Sequence, residues 1–439
     1  MTGGLETSLA ELTRDGAASR VRAARQRIAS HPRRRHAFIS LDPTPADVAP
    51  PASGPLAGAV FSVKDNIDVA GVTTTCGSRV LEHASPARDD AAITASLRAL
   101  GGTCVGKNNM HEFALGATGT NDRFGPMPNP WDISRHVGGS SGGSVIAVAD
   151  GMVDLAVGTD SGGSVRMPAS FGGIVGFKPT SGVLPMDGVV GASWSIDCLG
   201  LMTRTAADMA FVWQALGPPP SRPSRARPRI AYLMDESMGR VAPKVWEGYL
   251  AAIARLRAAD FDLTGVSLPG LEPCPRLCIS IVYPEVASSQ YEMMRTSPHL
   301  YEPDVRALVA LGEIWSARNY VDAQRARTVM RDRVEEVIAP FDLLLTPTVA
   351  LQAPHFGETP RIEGDPPGSA LFPIMRFTVP FNVISYPGLS VPAGLDSDGL
   401  PVGLQVVGRP NDDAAVVQTA VAIERVLGRL TLPGAVAVP

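Results

Sequence analysis

The chain has 439 residues, 45% of them hydrophobic, 19% charged and 6% aromatic, with a formal net charge of −4. That length and apolar content exclude intrinsic disorder, and five cysteines in so long a chain exclude a disulfide-stapled miniprotein. The slight acidity disfavours a nucleic-acid surface, which depends on basic patches, so composition leaves a soluble globular enzyme.

In chain order, the first 40 residues read as helical: Leu9, Leu12, Val21, Ala24 and Ile28 recur near helical spacing between Arg-rich faces. Met1 to Asp15 carries acids and no apolar core of a signal peptide, and no apolar run approaches the roughly 18 residues of a membrane span. A cytoplasmic location and no membrane partner are therefore expected. Pro43, Pro45, Pro50, Pro51 and Pro55 predict an extended connector. Ala59–Val63 reads as a strand, Asp89–Leu100 as a helix with acids in its first turn, and Thr103–Val105 as another strand. Continued alternation predicts the α/β class. Gly217–Pro228 reads as a Pro/Arg-rich linker. Beyond it Arg229–Leu233 reads as a strand and Lys244–Leu256 as an amphipathic helix. A helix face at Ala323, Ala326, Met330, Val334 and Val337 and a strand at Phe341–Leu345 follow.

Two details of composition bear on chemistry. Only four lysines occur (Lys64, Lys107, Lys178 and Lys244), so each invites a question. Cys76, Cys104, Cys198, Cys274 and Cys278 form no CxxC pair and no zinc spacing, which predicts reduced core thiols.

Twelve of the 44 glycines fall between Gly138 and Gly182. They flank two serine-bearing runs, Gly138-Gly139-Ser140-Ser141-Gly142-Gly143-Ser144 and Gly158-Thr159-Asp160-Ser161-Gly162-Gly163-Ser164-Val165-Arg166. Serines on such turns sit among backbone N–H groups that can point one way, a nest suited to an oxyanion. A serine hydroxyl is a weak nucleophile and needs a base beside it. Gly138-x-Ser140-x-Gly142 matches a G-x-S-x-G elbow, and Asp160-Ser161-Gly162-Gly163 echoes a D-S-G-G string. Both imply a histidine base, yet His299 and His355, the only later histidines, stand in no matching pattern.

Together with Val63-Lys64-Asp65-Asn66, these runs resemble the amidase signature family of serine hydrolases, whose base is a lysine. The resemblance continues through Phe171-Gly172-Gly173-Ile174-Val175-Gly176-Phe177-Lys178-Pro179-Thr180. It resumes at Asp342–Thr348, Tyr386–Pro392 and Leu400–Gln405. It implies a three-layer α/β/α fold with a large mixed central sheet. The implied parts of this single domain are an N-terminal helical region and connector (1–50), a core (54–210), a variable insertion shaping the pocket (217–340) and the rest of the core (341–439). It further implies that Ser164 attacks the carbonyl, that Ser140, after a cis peptide, shuttles the proton, and that Lys64 is the base. Backbone N–H groups of Ser161, Gly162, Gly163 and Ser164 would form the oxyanion hole, and Met110, Phe113, Leu115 and Gly116 a pocket wall. No metal or cofactor is implied. Asp160 and Arg166 are expected to brace the loop, Ser141 to cap a helix, and Lys178, His111 and Glu112 to stay outside the chemistry.

The expected reaction is hydrolysis of a C–N bond in a small amide, with aryl amides and carbamates (urethanes) as extensions. The expected partner is the small-molecule substrate alone, with a homodimer left open. Tyr283, Tyr291, Met293, Met294, Tyr301 and Trp315 in the insertion fit an apolar or aryl substrate. One alternative is the glutamine-hydrolysing A subunit of a tRNA-dependent amidotransferase. Against it, Asn109-Met110-His111-Glu112-Phe113 departs from the usual N-M-D-E-F, and no arginine and aspartate could be placed for the charged end of glutamine. The other alternative, a non-catalytic member, conflicts with an intact Lys64, Ser140 and Ser164. Leu201 also stands where the family usually has proline.

Overall fold

The computed structural model describes residues 9, 16–42, 53–219, 225, 227–365 and 371–432. Eleven strands form one sheet: β1 (Phe38–Leu41), β2 (Val60–Lys64), β3 (Thr103–Asn108), β4 (Leu155–Thr159), β5 (Val175–Lys178), β6 (Leu199–Thr203), β7 (Ile230–Leu233), β8 (Leu263–Val266), β9 (Leu343–Pro347), β10 (Gly388–Leu395) and β11 (Pro401–Val407). Their order is β1-β3-β2-β4-β6-β5-β10-β11-β9-β7-β8. β2 runs parallel to β3 and β4, and β7 parallel to β8 and β9, while the remaining pairs are antiparallel. The sheet is therefore mixed.

Strand alternation explains the three layers. Phe61, Val63, Leu155, Val157, Leu199 and Leu201 point into one core, and Val60, Ala156 and Met202, their neighbours in sequence, into another. The first core is closed by the helices Ala206–Ala215, Pro243–Ala258 and Asp413–Leu427, the second by Ala17–Ser30 and Gly142–Ala149. A sheet covered on both faces carries near-continuous apolar runs, as β4 and β6 do.

The first 40 residues are not helical throughout. Helices Ala17–Ser30 and Arg34–Ala37 give way to β1, whose Phe38 pairs with Asn108 on β3. Tertiary pairing overrides the helical pattern there. Leu12, Pro43, Pro45, Pro50, Pro51 and part of the 217–228 linker lie outside the described residues. The helix expected from Asp89 begins at Ala92, because Asp90 instead accepts the N–H of Ala70 at 2.8 Å. Within 217–340, β7 and β8 extend the main sheet beyond β9. The helices Cys274–Thr296, Pro303–Glu313 and Ala317–Ile338 follow. All five cysteines are buried and free.

Candidate active site

Lys64 is the last residue of β2 and Thr159 the last of the adjacent parallel strand β4, so both face the crevice beyond the carboxyl ends of the strands. Two glycine-rich turns meet there. Ser140 lies just before helix Gly142–Ala149, and Ser164 just before helix Arg166–Gly172. The turns are tied together by the Ser141 N–H, which donates to the Ser164 carbonyl at 3.2 Å. The Gly139–Ser140 peptide is cis.

Lys64 is fully buried, and its Nζ lies 2.6 Å from Ser140 Oγ and 2.9 Å from Thr159 Oγ1. Asn66 Nδ2 also donates to Thr159 Oγ1, at 3.2 Å. Burial disfavours the ammonium and lowers the lysine from its ordinary value to about 7, against the opposing pull of Asp197 and Asp160. The neutral form of the amine, which this shift makes accessible near neutral pH, has a lone pair for the Ser140 proton. Ser164 retains 6% exposure while Ser140 has none, so of the two only Ser164 is open to a substrate.

The Asp160–Arg166 turn is organised by its own ends. Asp160 accepts the N–H of Gly163 at 2.8 Å and of Val165 at 3.2 Å, and pairs with Arg166 Nη2 at 2.9 Å and Nε at 3.0 Å. These contacts, with Arg166 foremost, hold its carboxyl well below the usual range against the cost of burial. Asn382 bonds both partners, and Gln405 Oε1 accepts from Arg166 Nη1 at 2.7 Å. Gly163 has φ +118°, and a Cβ there would meet Thr378 Oγ1 at 2.1 Å, so only glycine fits. One expectation is corrected here: the Gly163 N–H is taken by Asp160 and is not free for an oxyanion. Among the described residues the N–H groups of Ser161, Gly162 and Ser164 have no acceptor. The bracing expected of Asp160 and Arg166 is what their contacts provide.

Met110, Phe113 and Leu115 are buried beside the Ser140 turn, with the His111 N–H donating to the Ser140 carbonyl at 3.1 Å and the Gly139 N–H to the Ala117 carbonyl at 2.8 Å. Gly116 is required by His111, whose ring would lie 2.1 Å from a Cβ. Phe113 stacks on Tyr301 at 5.3 Å, and Met293, Met294, Val305 and Val309 pack on the same cluster. Glu112 accepts from Ser78 Oγ at 2.5 Å and from the Glu302 N–H at 2.8 Å, with its carboxyl raised to about 7 by burial. His111 faces Asp304 at 3.2 Å. These groups join residues 301–304 to the 111–113 segment. Tyr283 packs against Trp315, and Tyr291 is exposed, so neither joins this cluster. Gly162 is covered by apolar atoms: Met375 Cε at 3.0 Å, Val379 Cγ2 at 3.3 Å and Cys278 Sγ at 4.0 Å from an ideal Cβ position.

Ser141 occupies the N-cap position, but its hydroxyl reaches the Thr159 carbonyl at 3.4 Å and makes no cap bond. Lys178 donates to the Pro179 carbonyl at 2.9 Å. Lys107 pairs with Asp65 at 3.1 Å in the core beside Lys64. His355 bonds Ser134 and His299 lies in the Pro298–Leu300 turn. Sequence reasoning did not find Asn382, Thr378 and Gln405. Their one signal is a polar side chain inside an apolar buried segment, and Asn382 meets Asp160 from 222 positions away.

A buried lysine, two serines on tight turns and three unengaged backbone donors are groups of the kind that acyl transfer uses. The comparisons agree. Residues 42–417 match the family model described as Amidase, and the chain belongs to that family, the amidase signature enzymes. It is 36% identical over 413 residues to the glutamyl-tRNA(Gln) amidotransferase A-subunit of Moorella thermoacetica, covering 85% of this chain and 83% of the relative. Its fold superposes on a crystal structure of an amidase with TM-score 0.86, 31% identity and coverage of 94% and 96%. The glutamyl-tRNA(Gln) amidotransferase A-subunit of Thermotoga maritima superposes with TM-score 0.79, 29% identity and coverage of 96% of each chain. The protein is an enzyme that hydrolyses amide C–N bonds.

Proposed function

We propose that the enzyme cleaves small amides with an apolar acyl group through an acyl-enzyme on Ser164. The carrying observation is the 2.6 Å contact between a fully buried Lys64 and Ser140. Ser164 Oγ attacks the carbonyl carbon, its proton passes to Ser140, and the Ser140 proton passes to Lys64 Nζ. The oxyanion is met by the N–H groups of Ser161, Gly162 and Ser164. The C–N bond then breaks as the proton returns through Ser140 to the leaving nitrogen. Water attacks the ester with the same relay as base, releasing the acid and restoring Ser164. Carbamate C–N bonds are the natural extension, since the same carbonyl is attacked.

Met375, Val379 and Cys278 over Gly162, with Phe113 and Leu115 on the wall, support an apolar acyl group. A second reading, release of ammonia from glutamine for a tRNA-bound partner, is favoured by the names of the curated relatives. A panel of aliphatic and aryl amides, aryl carbamates and glutamine separates the two. Turnover of apolar amides by the isolated chain, lost in Ser164→Ala, supports the first. Turnover of glutamine alone supports the second.

A further inference from the structure

The turn that carries Ser164 is gripped from outside by one short helix. Thr378, at the N-cap of helix Val379–Val383, and Asn382 within it are four residues apart, so their side chains share a face. Both are fully buried, and Val379, Phe381 and Val383 seat the helix in the core. Asn382 Nδ2 donates to the Asp160 carbonyl at 2.9 Å and to Asp160 Oδ1 at 2.7 Å, while its own Oδ1 accepts from Arg166 Nη2. Thr378 Oγ1 donates to the Gly162 carbonyl at 2.7 Å. The approach to the helix is held from β11, where Gln405 Nε2 donates to the Phe377 carbonyl at 2.7 Å and to Thr346 Oγ1 at 3.0 Å.

Each of these bonds to a carbonyl fixes a peptide plane. The peptides of the 160–164 turn are trans, and in a trans peptide the N–H points away from the carbonyl before it. Holding the Asp160 carbonyl toward Asn382 therefore turns the Ser161 N–H to the opposite side. The Gly162 carbonyl, held toward Thr378, sends the Gly163 N–H away from that helix face, where Asp160 Oδ1 takes it at 2.8 Å. The Ser161–Gly162 peptide, which carries the Gly162 N–H, lies between these two fixed planes. The Gly163 carbonyl accepts the Met167 N–H at 2.7 Å, which aims the Ser164 N–H by the same rule. Of the three N–H groups without an acceptor, that of Ser164 is thus set by its own helix. Those of Ser161 and Gly162 are set by Asn382 and Thr378.

We infer that Asn382 and Thr378 are positioning residues that aim the N–H groups of Ser161 and Gly162 at the oxyanion formed when Ser164 attacks. This deepens the Ser164 reading above and rests on it. Both side chains are spent on the backbone, on Asp160 and on Arg166, so they act through the turn and exchange no proton. Ser164 Oγ bonds to the carbonyl carbon, the carbonyl π pair moves onto oxygen, and donors already in place meet that charge without reorganising. One such donor is worth about 100- to 1000-fold in rate, and a donor left free to turn away forfeits part of that.

The test is the saturation kinetics of Ser164 labelling by a fluorophosphonate probe from pH 5 to 10, read by intact-protein mass spectrometry. It compares wild type with Asn382→Ala, Asn382→Ser, Thr378→Val and Thr378→Ser, with folding checked by circular dichroism. The maximal rate is expected to fall about 10- to 100-fold in both Asn382 variants and about tenfold in Thr378→Val. The half-saturating probe concentration is expected to hold within about twofold, and the pH of half-maximal rate to stay in place, because the Lys64–Ser140 contact is untouched. Thr378→Ser keeps the hydroxyl and should return to within about threefold of wild type. A folded Asn382 variant labelled at the wild-type rate overturns the inference, as does a Thr378→Ser no faster than Thr378→Val. A loss of rate that also moves the half-saturation or the pH midpoint marks collapse of the whole turn and overturns it equally. If neither Asn382 variant folds, Asn382 is a structural strut, which again overturns it. Absence of any Ser164 adduct on wild type is a different result, because it overturns the nucleophile reading itself.

Discussion

Asp160 and Arg166, six residues apart and both without solvent exposure, form a two-point ion pair at 2.9 and 3.0 Å that closes the Ser164 turn upon itself. Because the pair is also bonded by Asn382 and Gln405, each charge is compensated and the turn has one shape. Removing one partner leaves the other charge buried and alone. Arg166→Met is expected to cost about 3–5 kcal/mol in urea unfolding and to abolish Ser164 labelling. A loss below about 1 kcal/mol would show that the turn does not depend on the pair.

Gly163 carries a second dependence of the same turn. With φ +118° and Thr378 Oγ1 where a Cβ would go, Gly163→Ala must either move Thr378 or unwind the turn. The expected cost is about 1–3 kcal/mol of stability, with labelling slowed by about 100-fold as the neighbouring N–H donors lose their aim. Thermal unfolding and labelling kinetics on the same variant read both.

Lys64 gives a prediction for activity against pH. Its amine is brought down to about 7 by burial, and only the neutral form can take the proton of Ser140. The rate of acylation should therefore rise with pH through about 7 and level off above it. A profile flat from pH 5 to 9 contradicts a lysine base.

The same shift makes a prediction for stability. A lysine whose folded-state value lies below its unfolded one binds fewer protons when folded, so stability rises with pH from about 7 toward the ordinary lysine value. Lys64→Met escapes that cost. At pH 6 the variant is expected to be more stable than wild type by about 1 kcal/mol, with the gap narrowing toward pH 10, although it has no activity. Chemical unfolding at pH 6, 8 and 10 checks the trend.

Much of this site was legible in the sequence because its chemistry is local. The two serines stand on glycine-rich turns, and a lysine that ends an apolar strand is conspicuous in a chain with four. The three-layer fold was implied by the family resemblance, and strands such as Leu155–Thr159, buried throughout, agree with it. What sequence could not supply was assembly over distance. Thr378, Asn382 and Gln405 reach the 160–166 turn from more than 200 positions away, and no spacing rule links them. Nor could a glycine-rich string reveal that the Gly163 N–H is consumed by Asp160, since that depends on where one carboxylate points. β1 was read as helix for a related reason: its partner, β3, lies some 65 residues on and outweighs local periodicity.

Activation of Ser164 by Lys64, acting through Ser140, is the step on which the expectations for activity depend. Intact-protein mass spectrometry after a fluorophosphonate probe, run on wild type, Ser164→Ala and Lys64→Ala, tests it in one experiment. One adduct on wild type, none on Ser164→Ala and an adduct formed at least about 100-fold more slowly on Lys64→Ala is the predicted result. Labelling that survives Ser164→Ala, or that proceeds at the wild-type rate without Lys64, would contradict it.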